Sequence, residues 1–231
     1  MFARNGEAFH VVPYNESKPI TVATYPDKVA RTTRSVFAMS TDYAHWRINK
    51  KKKNVGVIIR NGVTYATRTL KAGANQMPNL DVLALYPNGS MEVYVSDALT
   101  AEEYLARGVE STLAFGPILI ENGEMSQAAL TKYGKAKNPR AAIGMVEPGH
   151  YWAIMVEGRS KISDGANIPK LTNMMAEKGC TLAFNLDGGN TSCFVFMGQQ
   201  ITHIGNSTTD KTKARPTAEL LAIGVSELVE K

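Results

Sequence analysis

Cysteine and histidine are scarce in this 231-residue chain: it has Cys180 and Cys193, and His10, His45, His150 and His203. Two cysteines make neither a disulfide framework nor a zinc motif, and we expect two buried thiols. No histidine pair has HExxH spacing, and His150, following Pro148-Gly149, reads as part of a hairpin turn. There is no GxSxG elbow, phosphate-binding GxxxxGK loop or GxGxxG, which removes serine hydrolases, P-loop nucleotidases and dinucleotide-binding folds. No run of about eighteen apolar residues occurs, so no membrane span is expected. The opening MFARNGEAFHVV lacks the basic-then-apolar order of a signal peptide. Zinc knuckles, a basic helix and an aromatic RNA-binding signature are also missing. The net charge of +5 is modest and its densest cluster, NKKKKN at 49–54, reads as a hydrated loop. Nucleic acid is therefore not an expected partner.

Hydrophobic residues make up 44% and charged residues 20%, the balance of a chain that buries a core. No Pro/Ser/Gly-rich linker or internal repeat divides it. Residues 1–231 are read as one α+β domain, strand-rich, with antiparallel hairpins and a few helices. The hairpin signal is Asn-Gly, since both residues accept the left-handed conformation of a type I′ turn. Asn61-Gly62, Asn88-Gly89 and Asn122-Gly123 stand between the strand-like runs VGVIIR/VTYAT, DVLALY/MEVYV and FGPILI/EMSQ. Further strands are expected in AFHVVPY, PITVAT, SVFAMS, AAIGMV, YWAIMV, TLAFNL, CFVFM and AELLAIGV. Thr100 and Glu103 have capping-box spacing, with Gly108 stopping that helix. A second helix covers 169–178, capped at Asn167 or Ile168 and ended by Gly179, and a third covers 27–34.

Polar residues gather at several strand ends. FNLDGGNTSCFVF, residues 184–196, sets Asp187, Gly188, Gly189 and Asn190 between two apolar runs. Locally, Asp-Gly reads as a hairpin corner. MSTDYAHWR places Asp42, His45, Trp46 and Arg47 at the exit of SVFAM, as a pocket wall or a polar loop. KYGKAKNPRAAIGM brings Lys132, Lys135, Lys137 and Arg140 onto a loop entering a buried strand. Pro139 biases Asn138 towards extended backbone and holds Arg140 at the strand's start, where a planar charged fork suits phosphate or carboxylate. VEGRSKISDGANIPKL adds Arg159 and a helix N-terminus, whose free N–H groups attract anions. KARPTAELLAIG contributes Arg215 and Glu219.

In their order over residues 31–225 these segments resemble the phosphodiester glycosidase family. SVFAMSTDYA resembles its "AINGDYY" segment, GVIIRNGVTY its "GxxIRNGxxY" and LAFGPILIENG its "SFGPxLxxxG". NPRAAIG is similar to "NPRTAIG", VEGR to "VDGR" and GCTLAFNLDGGNTS to "GCxxAxNLDGGGSS", while ARPTAELLAIG matches the closing "ERxISDxIxI" more weakly. The resemblance implies hydrolysis of a sugar-1-phosphodiester with release of the free sugar. The setting implied is a secreted or cell-surface domain in bacterial glycan or exopolysaccharide metabolism, with a carbohydrate phosphodiester or cell-surface glycan as partner. It implies catalytic roles for Asp187, Asp42 and Arg140, with Arg140 clamping the phosphate. Gly188, Gly189, Asn190, Asn138, Arg159, Asn61 and Arg60 would contact substrate. The carboxylates stand as nucleophile, base or sugar hydrogen-bond acceptor without distinction. The sequence specifies no cofactor and no complete metal-ligand set, and a divalent cation shared by Asp187 and Asp42 stays open. Three departures fall inside site motifs: Ser40-Thr41 for Asn-Gly, Asn190 for a glycine, and Ala141 for a threonine. They keep a non-catalytic glycan- or cell-wall-binding domain on the same fold as the alternative.

Overall fold

The computed structural model describes residues 7–43, 56–68, 80–204 and 213–230. Strand β1 (His10–Pro13), helix α1 (Pro26–Thr32) and strand β2 (Ser35–Met39) come first. Then β3 (Ile58–Arg60) pairs with β4 (Val63–Ala66), and β5 (Asp81–Leu85) with β6 (Met91–Tyr94). Helix α2 (Ala101–Ala106), β7 (Ser111–Phe115), β8 (Ile118–Glu121), β9 (Glu124–Met125) and helix α3 (Gln127–Thr131) follow. Next are β10 (Arg140–Glu147), β11 (His150–Val156), helix α4 (Ile168–Glu177) and β12 (Leu182–Leu186). A 3-10 turn at Gly189–Thr191 leads to β13 (Phe194–Phe196), β14 (Gln199–Gln200) and β15 (Glu219–Val225).

Three antiparallel sheets share one core. Their orders are β1-β15-β2-β13-β14, β11-β10-β12-β8-β9 and β6-β5-β7, with β3-β4 a separate hairpin. Alternation along each strand divides its side chains between two faces. Leu221, Ile223 and Met39 of the first sheet meet Phe184, Leu186 and Ile143 of the second and Leu83 and Leu113 of the third. The opposite faces are covered by helices. Val29 and Ala30 of α1 pack on Leu220 and Ala222, Leu171 and Met175 of α4 on Ala142 and Ala183, and Ala101 and Tyr104 of α2 on Val82 and Ala84.

The expected helices form with their caps. Thr100 accepts from the Glu103 N–H while Glu103 accepts from the Thr100 N–H, and Asn167 accepts from the Lys170 N–H at 2.8 Å. The Asn-Gly hairpins form at all three places. Four expectations change. PITVAT is no strand: Thr21 and Val22 donate back to the Lys18 carbonyl in a turn, leaving one bridge at Thr24, and Pro19 has no N–H to offer a ladder. EMSQ pairs only through Glu124–Met125, because Ser126 turns to cap α3. STLA, in no expected strand, joins Phe115 of FGPILI to form β7, at the edge of its sheet. Finally, FNLDGGNTSCFVF is not a hairpin, since β12 and β13 belong to different sheets.

Cys180 and Cys193 are free and buried in separate clusters beneath different sheets; burial raises their thiols to about 11 and about 12. Among the described residues no helix is long and apolar enough to cross a membrane. His45, Trp46, Arg47 and the lysine cluster at 50–53 lie outside the described residues.

Candidate active site

The crossing from β12 to β13 carries the site. All five residues of β12 are buried. Just past its end, the Asp187 N–H donates to the Thr41 carbonyl at 2.9 Å, tying it to the segment after β2. Gly188 then passes so close to the lead-in of β10 that a Cβ would lie 2.8 Å from the Pro139 carbonyl oxygen. Gly189 donates to that carbonyl at 2.9 Å and takes φ +58°, a region open to glycine. Contact requires glycine at 188 and conformation favours it at 189. Asn190 and Thr41, which replace family glycines, are both outside the positive-φ region. Neither departure strains the backbone. The Asn190 carbonyl accepts from the Arg215 N–H at 2.8 Å, joining the loop to the segment before β15.

Asp187 is buried, and its Oδ2 has no hydrogen-bond partner among the described residues. Burial pushes the carboxyl up to about 7, because the charged form is poorly solvated there. The Arg215 guanidinium is the strongest opposing influence, the Gly188 amide and Thr191 hydroxyl pull down more weakly, and the charge of Asp42 adds to the rise. The Thr191 hydroxyl lies beside the carboxyl without completing a hydrogen bond of good geometry.

Asp42 is fully enclosed. Its Oδ2 accepts from the Ala114 N–H and from the Arg60 guanidinium, both at 3.1 Å. Arg60 is equally buried and makes a two-pronged contact to Glu219, Nε at 2.8 Å and an Nη at 2.6 Å. It also donates to the carbonyls of Ile59, at 2.9 Å, and Thr112. Burial alone would lower its pKa, but Glu219 and Asp42 together outweigh this and hold it charged. Thus Asp42 and Arg60 converge beneath Asp187 as an ion-paired floor and not as exposed ligand contacts. Asn61, the neighbouring hairpin corner, is exposed; its N–H donates to the Ser111 hydroxyl at 3.0 Å. None of its hydrogen bonds among the described residues reaches the Asp187 loop.

On the other flank stand two guanidiniums. Arg140, the first residue of β10, donates to the carbonyls of Ala166 at 3.1 Å and Ala136 at 3.0 Å. Arg159 donates twice to the Asn138 side-chain oxygen, at 3.1 and 2.6 Å, and once to that of Asn190 at 3.4 Å. Neither arginine has a carboxylate ion partner among the described residues. Burial and the charge of Arg159 both lower the Arg140 pKa, so the two cations feel each other. A Cβ on Gly189 would sit 3.4 Å from the Arg159 guanidinium, which places that cation against the Asp187–Gly189 loop. Asp187, Gly188, Gly189, Asn190, Asn138, Arg140 and Arg159 therefore meet in one place. No three His, Cys, Asp or Glu side chains among the described residues are grouped to hold a metal ion.

A phosphodiester glycosidase family model matches residues 32–224. The chain belongs to this family. It is 29% identical over 180 residues to the SPbeta prophage-derived uncharacterized protein YomE of Bacillus subtilis (strain 168), a match spanning 77% of this chain and 27% of that protein. The chain thus spans about a quarter of the curated relative it matches. The fold is also that of the catalytic domain of zebrafish N-acetylglucosamine-1-phosphodiester alpha-N-acetylglucosaminidase, solved auto-inhibited by its pro-peptide. There the TM-score is 0.71 at 16% identity, covering 95% of this chain and 73% of that one. A hypothetical protein from Synechocystis gives a TM-score of 0.57 at 15% identity, covering 97% and 58%.

Against the family's motifs, sequence reasoning undervalued the C-terminal segment. Arg215 and Glu219 sit in its weakest match, yet they oppose Asp187's burial and anchor Arg60. Their type and position were visible; their partners, 28 residues back and 159 residues back respectively, were not. Thr191 and Ser192, next to Asn190, gave no signal beyond their place in the motif.

Proposed function

We propose that the chain hydrolyses a glycosyl phosphodiester, releasing free sugar and a phosphate monoester, with Asp187 as general base and Arg140 and Arg159 as the phosphate clamp. The observation that carries this reading is the meeting of two guanidiniums, without a carboxylate partner among the described residues, with the Gly188–Asn190 loop that follows the buried Asp187. Two cations held together by neutral acceptors are organised for a dianion or diester. The carboxyl repels such a group, so phosphate and sugar are sorted to opposite sides of the Gly188-Gly189 backbone. Water attacks the anomeric carbon as the carbon–oxygen bond to phosphate breaks; Asp187 takes the water's proton. The monoester departs with the bonding pair, and its second pKa of about 6 makes a strong general acid unnecessary. Arg140 and Arg159 stabilise the departing charge electrostatically. Asp42 and Arg60 position and tune Asp187 from below.

The zebrafish enzyme, named for an N-acetylglucosamine-1-phosphodiester, makes sugar 1-phosphodiesters the starting class. The prophage origin of YomE directs the search to bacterial cell-surface glycans met outside the cell. Release of free sugar from a panel of such diesters is the test. Asp187→Asn is expected to lower kcat at least about 100-fold. Arg140→Ala is expected to weaken phosphodiester binding about tenfold or more. For the wild type, kcat/KM should rise with pH through about 7, where Asp187 ionises. Sugar phosphate binding without release would make this a glycan-binding domain, and a rate flat from pH 5 to 8 would remove Asp187 as base.

A further inference from the structure

Strand β6 is an edge of the third sheet, and a cleft of about 410 Å³ runs beside it, within the size range of small-ligand sites. Met91 and Val93 of β6, Met145 of β10 and Leu182 of β12 give the cleft apolar walls. Glu92, Arg107, Glu121, Asn122 and Thr181, all exposed, form a polar rim. The rim is ordered by its own contacts. Glu92 Oε2 accepts from the Tyr86 hydroxyl at 2.6 Å and from that of Tyr94, whose ring stands edge-on to Tyr104. These hydroxyls hold the Glu92 carboxyl below its ordinary range, so it stays charged. Arg107, at the end of α2, lies 5.8 Å from the centroid of the Tyr94 ring and donates to its hydroxyl at 3.4 Å. Across the cleft, the Thr181 carbonyl accepts from the Gly123 N–H at 2.8 Å, and the Thr181 hydroxyl donates to the Met145 and Val146 carbonyls. Those bonds fix the Asn122 corner against the start of β12.

We propose that this cleft binds neutral sugar units of a glycan chain, as an anchoring site separate from the Asp187 loop. This deepens the glycosyl phosphodiester reading and rests on it. Two carboxylates, Glu92 and Glu121, stand against one guanidinium here. That balance disfavours a phosphate, in contrast to the flank of Arg140 and Arg159. Carboxylate, amide and guanidinium together supply acceptors and donors above apolar walls. A pyranose presents the matching combination, hydroxyls at its edge and C–H groups on its faces. Leu182 opens β12 and Asp187 follows its last residue, so about 17 Å of extended strand separates cleft from loop. A single sugar cannot fill both, whereas a chain of several units can. Holding the chain at the cleft raises its effective concentration at the Asp187 loop without a new contact there.

Arg107→Met and Asn122→Gly test the cleft. Both side chains are exposed, and glycine keeps the left-handed turn that Asn122 makes at φ +52°. Calorimetric titration with neutral hexasaccharides of glucose, galactose, mannose and N-acetylglucosamine is expected to show wild-type binding to at least one. Each variant should bind that hexasaccharide about tenfold more weakly. Tm should stay within about 2 °C of wild type, because neither side chain is part of the core. Asp187→Asn and Arg140→Ala should bind the hexasaccharide as wild type does. Wild type that binds none of the four overturns the proposal, as does binding within about twofold of wild type in both cleft variants. So does an equal loss in Asp187→Asn or Arg140→Ala, which would put the neutral sugar at the first site. Binding lost in the cleft variants, with no sugar released from any phosphodiester, sinks the hydrolase reading while this one stands. Release of sugar by a wild type that binds no hexasaccharide does the reverse.

Discussion

Asp187 works against the stability of the fold that holds it. Its carboxyl is raised by burial from 3.8 to about 7, so between these values the native state binds a proton that the unfolded chain has lost. Stability therefore falls as pH rises from about 4 to about 7, by on the order of 4 kcal/mol in all. The ionised form that a base requires is the one the fold tolerates least. Denaturant unfolding across that window should show the decline, and Asp187→Asn should remove most of it and be the more stable protein at pH 8. Equal pH slopes in the two proteins would mean that Asp187 is solvated. The other carboxylate, Asp42, is met instead by Arg60 and the Ala114 N–H. Both are buried acidic residues at strand exits; only their partners separate the proposed base from the floor.

At the scale of elements, what was legible follows from range. Asn61-Gly62, Asn88-Gly89 and Asn122-Gly123 specify their hairpins through two residues' own φ preferences, and the Thr100/Glu103 box specifies a helix start within four positions. The destination of the Asp187 turn is a different matter. An Asp-Gly pair between apolar runs says that the chain turns, not that β12 and β13 join different sheets. Motif order pointed to residues that the fold brings together, since the family pattern carries spatial proximity that a local pattern does not. The crossing also explains why Gly188 matters although its own backbone is not left-handed. It lets β12's exit lie against Pro139, and that contact sets the Gly188–Gly189 loop beside Arg159. Gly188→Ala puts a Cβ 2.8 Å from a backbone oxygen, so the loop must move. We expect a loss of about 1–3 kcal/mol in stability and a larger proportional loss of turnover, because misplacement of about 1 Å costs about 100-fold in rate. Unchanged kinetics in Gly188→Ala would show that the loop's position is not critical.

Across the whole molecule, Arg60 is the pin. It leaves the β3–β4 hairpin, grips Glu219 at the start of β15 in the first sheet, and meets Asp42 just beyond β2. It also donates to Thr112 of β7 in the third sheet. One guanidinium therefore fastens two sheets and the hairpin under the Asp187 loop, using residues 159 positions apart. Replacing it with methionine would leave two carboxylates buried without their cation, an expected loss of about 3–5 kcal/mol. Glu219→Leu would leave Arg60 with Asp42 alone and is expected to cost less. In the Arg60→Met/Glu219→Leu double variant both ends of the strongest pair are apolar, so its loss should fall short of the summed single losses by about 2 kcal/mol. Urea unfolding of the four proteins measures this directly. Single losses that add within about 0.5 kcal/mol would mean that the sheets are held by the shared core alone and that Arg60 serves Asp42 only.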